Sequence, residues 1–394
     1  MLNKNDLQGL KNPNVDDPVS SIYVHVPFCR SKCGYCDYYS LGSGRADFAA
    51  FAAGIKQELD ITLAYLEQKG VPLAPLKSLY FGGGTPSALP AEVMAGFLDL
   101  FKERLVFSPE AEVTMEVNPE GSGQETVRRA IAGGVNRISL GYQAKQDRLL
   151  KKIGRIHSYQ DFRSMLDLVR SLGITNISCD LMFGLPDQDL ADVLDSALDL
   201  VSLEIPHISF YSLILEPGTR FYRTYAKRPD LLLSEDLERR MYHDLVAYFQ
   251  GQGFRYYELS SAARPGFYSR HNYNYWTGRP YLGLGPGAHG YFNGLRKGNI
   301  RSLNRWLEEP WESAEIEEIS GELAVREYAM LAFRLDRGFS PGDFQERFGL
   351  VNPFEEELAG LEARKLIYWD GPGASYKLSQ LGLDFANQVF MEFL

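Results

Sequence analysis

The sequence has few cysteines and no long apolar run. Four cysteines in 394 residues are too few for the disulfide framework of a small secreted scaffold. No stretch approaches the roughly 18 apolar residues that a membrane span requires, and the first 20 residues lack the apolar centre of a signal peptide. These absences predict a cytoplasmic protein whose membrane contact is peripheral at most.

The sequence also lacks an excess of positive charge. Its 41 Lys and Arg residues are outnumbered by 51 Asp and Glu residues, which gives a net charge of −10. A protein that neutralises many phosphates needs the opposite sign, so nucleic acid is not expected as a partner. The length exceeds the roughly 250–300 residues at which one core stops growing, which predicts a large domain and a smaller one.

Short runs rich in β-branched and aromatic residues alternate with helix-like segments in the first part of the chain. This alternation predicts a parallel sheet in an α/β protein, built as a partial six-stranded TIM-like barrel, with a doubly wound sheet as the alternative. Reactive residues then belong at the carboxyl ends of the strands. The predicted strands are 21–27, 78–84, 112–119, 137–143, 176–186 and 207–218, and the predicted helices include 46–68, 91–104, 159–172 and 191–203.

The pattern changes after about residue 264, where Tyr, Gly, Asn and Pro follow one another in irregular order. We interpret this part as a functional loop or a domain junction. Residues 320–394 then show helices, a hairpin turned at 371–373 and a last helix, the order of a winged-helix module. This module carries 12 acidic and 7 basic residues, a net charge of −5, which favours a lid or docking role. We therefore expect four parts, namely 1–17 (a polar extension), 18–262 (the partial barrel), 263–319 (the junction) and 320–394 (the terminal α+β domain).

Three of the four cysteines lie within eight residues after the first predicted strand. Cys29, Cys33 and Cys36 have the spacing C-x3-C-x2-C. A structural zinc site would want a fourth Cys or His nearby, and none occurs between Cys36 and His157. Three thiolates suit a 4Fe-4S cluster in which one iron is left open for another ligand. Cys179 lies inside an apolar strand and is expected to be an inert buried thiol.

The cysteine motif on the loop after the first strand resembles that of the radical S-adenosylmethionine superfamily. The glycine run Phe81-Gly82-Gly83-Gly84-Thr85-Pro86-Ser87 after the second strand resembles the superfamily's site for the methionine part of the cofactor. The resemblance implies that the open iron chelates S-adenosylmethionine. It also implies cofactor contacts for Tyr23, Tyr35, Gly83, Gly84, Thr85, Glu116, Gln143, Arg155, Asp180 and His289.

Within the superfamily the chain resembles the HemN-like group over nearly its whole length, from YVHVPFC through FGGGTPS, GRIH, DLMFGLP and YLGLGPGAHG to the terminal module. The group includes an oxygen-independent coproporphyrinogen III oxidase and a haem chaperone. The oxidase has a further cysteine two positions after the third, where this chain has Tyr38. The run HNYNYW at residues 271–276 also matches the chaperone branch, which implies haem as a ligand and makes His271, Tyr275 and Trp276 candidate haem residues. His289 is a second candidate imidazole ligand.

The resemblance therefore favours a protein that binds haem and delivers it to apo-haemoproteins. Radical decarboxylation of coproporphyrinogen III, or radical chemistry on another tetrapyrrole or porphyrin, is the enzymatic alternative. A nucleic-acid adaptor built on the winged module is a third class, which the acidic charge disfavours. The sequence leaves open a homodimer and the fate of bound S-adenosylmethionine.

Overall fold

The computed structural model describes residues 17–394 except 122, 320 and 352. The polar extension expected over residues 1–17 lies outside the described residues apart from Asp17. The six predicted strands are confirmed as β1 and β4 to β8. The strands are β1 Val19–Val26, β2 Phe28–Cys29, β3 Leu41–Gly42, β4 Leu73–Gly83, β5 Phe107–Val117, β6 Arg137–Gln143, β7 Ile177–Phe183, β8 His207–Ser212, β9 Arg255–Glu258, β10 Ser261–Ala263, β11 Leu282–Leu284, β12 His289–Phe292, β13 Leu295–Asn299, β14 Ser313–Glu318, β15 Ile367–Asp370 and β16 Ser375–Leu378.

The four helices that the sequence predicts between the strands are also present, as α1, α2, α5 and α6. No helix within the described ranges is both long enough and apolar enough to cross a membrane. The α-helices are α1 Phe48–Lys69, α2 Ala91–Arg104, α3 Gln124–Ala132, α4 Asp147–Ile153, α5 Tyr159–Ser171, α6 Leu190–Ser202, α7 Arg220–Tyr225, α8 Glu235–Gly251, α9 Arg270–Trp276, α10 Leu303–Glu308, α11 Gly321–Ala332, α12 Pro341–Phe348, α13 Glu355–Ala363, α14 Gln380–Asp384 and α15 Ala386–Met391.

The main sheet has nine strands in the order β11-β1-β4-β5-β6-β7-β8-β10-β9. Strands β1 and β4 to β8 are parallel neighbours in chain order. A doubly wound sheet would reverse its strand order in the middle, so that alternative is excluded and the partial barrel is confirmed. Strand β11 adds to β1 in parallel, whereas β10 and β9 close the other side in antiparallel pairing.

Apolar and polar side chains alternate along the strands, so that one face of the sheet is apolar and the other is polar. Apolar residues such as Ile138, Leu140 and Cys179 are fully buried in the core. The residues between them on the same strands, such as Ser139 and Ser178, line a cavity on the other face. Because successive strand residues point to opposite faces, the barrel has an apolar outer wall under the helices and a polar lumen.

The segment after residue 264, interpreted as a functional loop or a domain junction, is not a single loop, because it contains α9, β11 and a small antiparallel sheet of β12, β13 and β14. The Ser269 side chain accepts a hydrogen bond from the Asn272 N–H. The Glu112 carboxylate on β5 accepts from the N–H groups of Arg270 and His271 at 3.0 and 3.1 Å. These acceptors satisfy the free donors of the first helical turn, so contacts distant in sequence stabilise the short helix α9.

A buried carboxylate on α1 fixes the strands that follow α9. Glu58 accepts hydrogen bonds from the Gly285 N–H at 2.7 Å, from Asn299 Nδ2 at 2.7 Å and from Trp306 Nε1 at 3.0 Å. Lys297 Nζ lies 3.7 Å from the same carboxylate. Glu58 therefore holds the 285–289 loop over one end of the lumen.

The terminal module has its own core and covers the edge of the main sheet. Its buried side chains form a cluster that includes Phe339, Phe344 and Phe354. The predicted hairpin is present as β15 and β16. The prediction of a single last helix is wrong, because two short helices, α14 and α15, occupy that part of the chain. Backbone hydrogen bonds from residues 334–336 pair with β9, on the side away from β10.

Candidate functional site

A cavity of about 790 Å³ lies in the lumen and opens at the carboxyl ends of the parallel strands. Of the sixteen site residues that the sequence predicts, fourteen line it and two, Gln143 and Trp276, do not. The structure therefore brings candidates from distant parts of the chain to one place, as expected for a parallel α/β sheet. The fourteen are Tyr23, Cys29, Cys33, Tyr35, Cys36, Gly83, Gly84, Thr85, Glu116, Arg155, Asp180, His271, Tyr275 and His289.

The three cysteines of the motif are partly buried free thiols on the loop after β1. Burial raises the pKa of the Cys29 thiol, and it raises that of Cys36 to about 11. Within the described residues, no three His, Cys, Asp or Glu side chains are close enough to share one metal ion. A four-iron cube binds each thiolate to a different iron, so its ligands need not converge on one point. The donor set therefore fits an iron-sulfur cube.

A chain of hydrogen bonds ends on one of these sulfur atoms. Arg155 Nη1 donates to Asn118 Oδ1 at 2.6 Å, and Asn118 Nδ2 donates to Thr85 Oγ1 at 2.9 Å. The Thr85 hydroxyl donates to Cys29 Sγ at 3.5 Å. Because hydrogen bonds to sulfur help to set the potential of an iron-sulfur centre, this chain would tune a cluster that Cys29 binds.

The glycine run after β4 packs closely against the end of β1. A Cβ atom at Gly84 would lie 2.7 Å from the Val26 carbonyl oxygen, so only glycine fits there without a shift. The Gly84 N–H donates to the same carbonyl at 2.8 Å. The Gly83 N–H donates to Glu116 Oε2 at 3.1 Å. Neither N–H is therefore free to donate to the carboxylate of a ligand.

Two acidic side chains, Glu116 and Asp180, line the cavity. Burial raises the pKa of Glu116 to about 7, and Asp180 adds to the shift. Burial also raises the pKa of Asp180 to about 6. Tyr80 donates its hydroxyl proton to Glu116 Oε1 at 2.8 Å. The carboxylates are therefore costly to ionise until a cation arrives, which suits the amino and sulfonium groups of S-adenosylmethionine.

Further polar groups next to the cavity have donors without partners. Arg155 Nη2 donates to the Tyr35 hydroxyl at 3.2 Å, but Arg155 Nε is buried and has no partner among the described residues. Gln143 is fully buried with a positive φ of 57°. Its amide nitrogen and oxygen also lack partners within the described part of the chain. Buried polar groups normally have partners, so these atoms fit a site that receives a polar cofactor.

His271, one of the candidate haem residues, is buried. Only 1% of its surface is exposed. Its Nδ1 lies 2.8 Å from Ser78 Oγ and its Nε2 lies 2.6 Å from the Tyr275 hydroxyl, so both ring nitrogens are used. Burial, followed by the charge of Arg137, lowers the pKa of His271 to about 3. A metal ion could reach the imidazole only after one of these hydrogen bonds breaks.

The other haem candidates lie apart from one another. Trp276 is outside the cavity lining, and its ring stacks against the Arg334 guanidinium at 4.1 Å. His289 is exposed at the cavity mouth. His271, Asn272 and Tyr275 of the HNYNYW run thus line the lumen whereas Trp276 does not, and His289 is the more accessible imidazole.

Several lining residues were not predicted from the sequence, although a signal was present. Parallel strands buried on both faces usually read as continuous apolar runs. Here polar residues occupy every second position, as in Arg137-Ile138-Ser139 and Ser178-Cys179-Asp180. That alternation marks a polar lumen. The missed lining residues include His25, Tyr80, Asn118, Arg137, Ser139, Ser178, Ser209 and Tyr211.

Comparisons with known proteins identify the superfamily and the family of this chain. The family model described as "Radical SAM superfamily" matches residues 23–200. A curated haem chaperone HemW of Bacillus subtilis is 34% identical over 95% of this chain and 99% of its own length. Another, from Lactococcus lactis, is 31% identical over 98% of each chain.

Among solved structures, coproporphyrinogen III oxidase (HemN) from Escherichia coli superposes with a TM-score of 0.82, covering 99% of this chain and 93% of that chain. Its sequence identity is 18%, so this likeness establishes the fold alone. The nearly full-length matches to curated relatives above 30% identity establish the family. The chain belongs to the HemW family of the radical S-adenosylmethionine superfamily.

Proposed function

We propose that this protein binds haem and delivers it to apo-haemoproteins. The observation that carries the proposal is the match to curated haem chaperones along nearly the whole chain. The residue two positions after Cys36 supports it, because this chain has Tyr38 where the family resemblance implies an additional cysteine in the oxidase.

Membership of the superfamily implies a 4Fe-4S cluster and S-adenosylmethionine as cofactors. We propose Cys29, Cys33 and Cys36 as the cluster ligands. When bound, the cluster supplies an open iron and a low-potential electron. Glu116 and Asp180 would hold the cationic part of S-adenosylmethionine.

Other lining residues would complete the cofactor site. Arg155 would fix Asn118 and, through Thr85, the sulfur of Cys29. Tyr23 and Tyr35 would form its aromatic wall. Gln143 would support the cofactor from behind Gly141, since a Cβ at Gly141 would lie 3.1 Å from the Gln143 amide nitrogen.

We propose His289 as the first protein ligand that haem meets. Imidazole is a common ligand of haem iron, and the exposed position of His289 supports this role. His271, Tyr275 and Trp276 stay candidates for a state in which α9 has rearranged, since both nitrogens of His271 are hydrogen-bonded.

Haem titration of the anaerobically reconstituted full-length protein tests the proposal. The wild-type protein is expected to give a shifted Soret band that saturates. His289→Ala should weaken haem binding more than His271→Ala does. His243→Ala is the control, because His243 contacts Asp384 outside the cavity. A titration without saturable binding in the wild-type protein would contradict the chaperone function.

The enzymatic alternative is the decarboxylation of coproporphyrinogen III or radical chemistry on a related tetrapyrrole. The HemN fold supports it only at the level of architecture. Incubation with coproporphyrinogen III, S-adenosylmethionine and a reductant decides between the two functions. Formation of protoporphyrinogen would favour the oxidase, whereas its absence together with saturable haem binding favours the chaperone.

The proposal extends to location and partners. It places the protein in the cytoplasm, with an apo-haemoprotein as the recipient of haem and no nucleic acid partner. The net charge of −10 supports the last point. A homodimer and peripheral membrane contact stay predictions, which analytical ultracentrifugation and vesicle flotation would test.

A further inference from the structure

A buried arginine lies deep in the lumen, at the amino end of β6. Arg137 lines the cavity, yet only 2% of its surface is exposed. Its Nε atom is buried and has no hydrogen-bond partner within the described residues. A buried guanidinium has five donors to satisfy, and leaving them unmatched is costly. The position of Arg137 therefore needs an explanation beyond packing.

The nearest ion pair does not supply that explanation. Glu112 Oε2 lies 3.9 Å from Arg137 Nε, which is beyond hydrogen-bond distance. Both oxygens of Glu112 already accept from backbone N–H groups at the start of α9, on Arg270 and His271. Glu112 is thus engaged by the backbone of α9. The N–H donors of the Arg137 guanidinium therefore stay available to a ligand in the lumen.

The charge of Arg137 acts on several side chains of the lumen, among them Asp180, whose pKa it lowers although burial raises that pKa overall to about 6. Two buried histidines are close enough for its charge to depress their pKa values, and in both cases burial is the larger cause. These are His271, lowered to about 3, and His207, lowered well below its usual range. Both are therefore neutral near pH 7 and add no charge that would compete with an anion. Ser139 and Ser209 place hydroxyl-bearing side chains along the same cavity.

The lumen is therefore polarised along its axis. Glu116 lies two residues nearer the carboxyl ends of the strands than Arg137 does, because Arg137 pairs with Thr114 and Ser139 pairs with Glu116. Asp180 lies at the level of Gly141, and the one guanidinium at the floor is Arg137, among the residues that the structure describes as lining the cavity. The planar fork of an arginine matches a carboxylate through two parallel hydrogen bonds. A ligand would match both charges if its cationic or metal-bearing part lay near Glu116 and its carboxylate lay near Arg137.

We propose that Arg137 forms a carboxylate-binding site at the floor of the lumen. The carboxylate has two sources, either a propionate arm of a tetrapyrrole or a small free carboxylate. The first source rests on the proposed function, because it requires the protein to bind haem. The second does not.

The experiment compares haem with haem dimethyl ester, whose propionates are esterified, and with sodium propionate. Each probe is titrated into anaerobically reconstituted full-length protein as wild type, Arg137→Gln and Arg137→Lys. Arg129→Gln is the control, because that arginine is exposed on α3 and pairs with Glu125. Binding of S-adenosylmethionine is measured in parallel, to show that the mouth of the cavity is intact.

If a propionate arm binds Arg137, the wild-type protein prefers haem to the diester by about tenfold to a hundredfold, the range expected for a charge-assisted hydrogen bond. Arg137→Gln then removes this preference, whereas Arg137→Lys keeps part of it. If a free carboxylate is the ligand, sodium propionate binds the wild-type and Arg129→Gln proteins but not Arg137→Gln, whether or not haem binds. Equal affinities of wild type and Arg137→Gln for every probe overturn the proposal.

Thermal unfolding checks whether the variants are folded. Arg137→Gln leaves the buried Glu112 carboxylate without the guanidinium 3.9 Å away, which lowers the melting temperature whether or not Arg137 binds a ligand, so the affinities measured on folded protein decide. A much lower melting temperature together with unchanged affinities would make Arg137 a structural residue and would refute the site. Absence of haem binding in the wild-type protein alone refutes the chaperone function and leaves the propionate titration to decide on Arg137.

Discussion

Glu58 gives the sharpest test of how the 285–289 loop is held over the lumen. Glu58→Ala removes the acceptor of the Gly285 N–H and of Trp306 Nε1, both of which are buried. It also leaves Lys297 without the carboxylate that lies 3.7 Å from its Nζ. Breaking a buried charge pair by removing one partner costs about 3–5 kcal/mol. We therefore expect Glu58→Ala to lower the free energy of unfolding by about that amount.

Chemical denaturation followed by circular dichroism measures this loss. Glu58→Gln keeps an acceptor oxygen without the charge and should fall between Glu58→Ala and wild type. Glu67→Ala, an exposed position on the same helix, should change the free energy of unfolding by less than about 0.5 kcal/mol. A Glu58→Ala variant within about 1 kcal/mol of wild type would show that the contacts of Glu58 do not stabilise this part of the fold.

Three further predictions concern the site itself. Cys36→Ala should lower the iron and sulfide content after reconstitution, whereas Cys179→Ala should not, because Cys179 is buried in the outer core; equal iron contents would contradict the cluster assignment. Gly84→Ala places a Cβ within 2.7–2.9 Å of backbone atoms of residues 26 and 28 and should cost about 1–3 kcal/mol in thermal unfolding; an unchanged melting temperature would show that the loop yields freely. The pKa of Glu116 rises from 4.5 to about 7 on folding, so the folded state without ligand holds its proton more tightly. The contribution of Glu116 to stability is then complete below about pH 4.5 and is lost as the pH rises through 7, by at most about 3 kcal/mol; Glu116→Gln should remove this contribution, and parallel pH profiles of the two proteins would count against it.

Most of the fold could be predicted from local patterns. The strand at 137–143 and the helix at 91–104 have the predicted bounds, because each has a clear apolar period and ends at a change of composition. The clustering of the motif residues could also be predicted, because parallel strands bring their carboxyl ends together. The sequence was less informative where tertiary contacts decide the structure. Helix α9 depends on the carboxylate of Glu112, about 160 positions away, and its aromatic composition has no helical period.

The same limit applies to individual site residues. The sequence identified His271 as a candidate ligand, but it could not reveal that Ser78 and Tyr275 occupy both of its nitrogens. Arg137 begins a strand and looked like an ordinary boundary residue. Only the alternation of polar and apolar residues along neighbouring strands could have indicated that its side chain points into the lumen. A search for polar residues at every second position of parallel strands would have found it.

The pairing of residues 334–336 with β9 bears on how the chain can be shortened. These residues use the N–H and C=O groups on the outer side of β9. A chain ending before residue 321 would present those groups to solvent as a ready template for strand addition by another molecule. Removing residues 321–394 would therefore yield a protein that self-associates rather than an independently stable barrel.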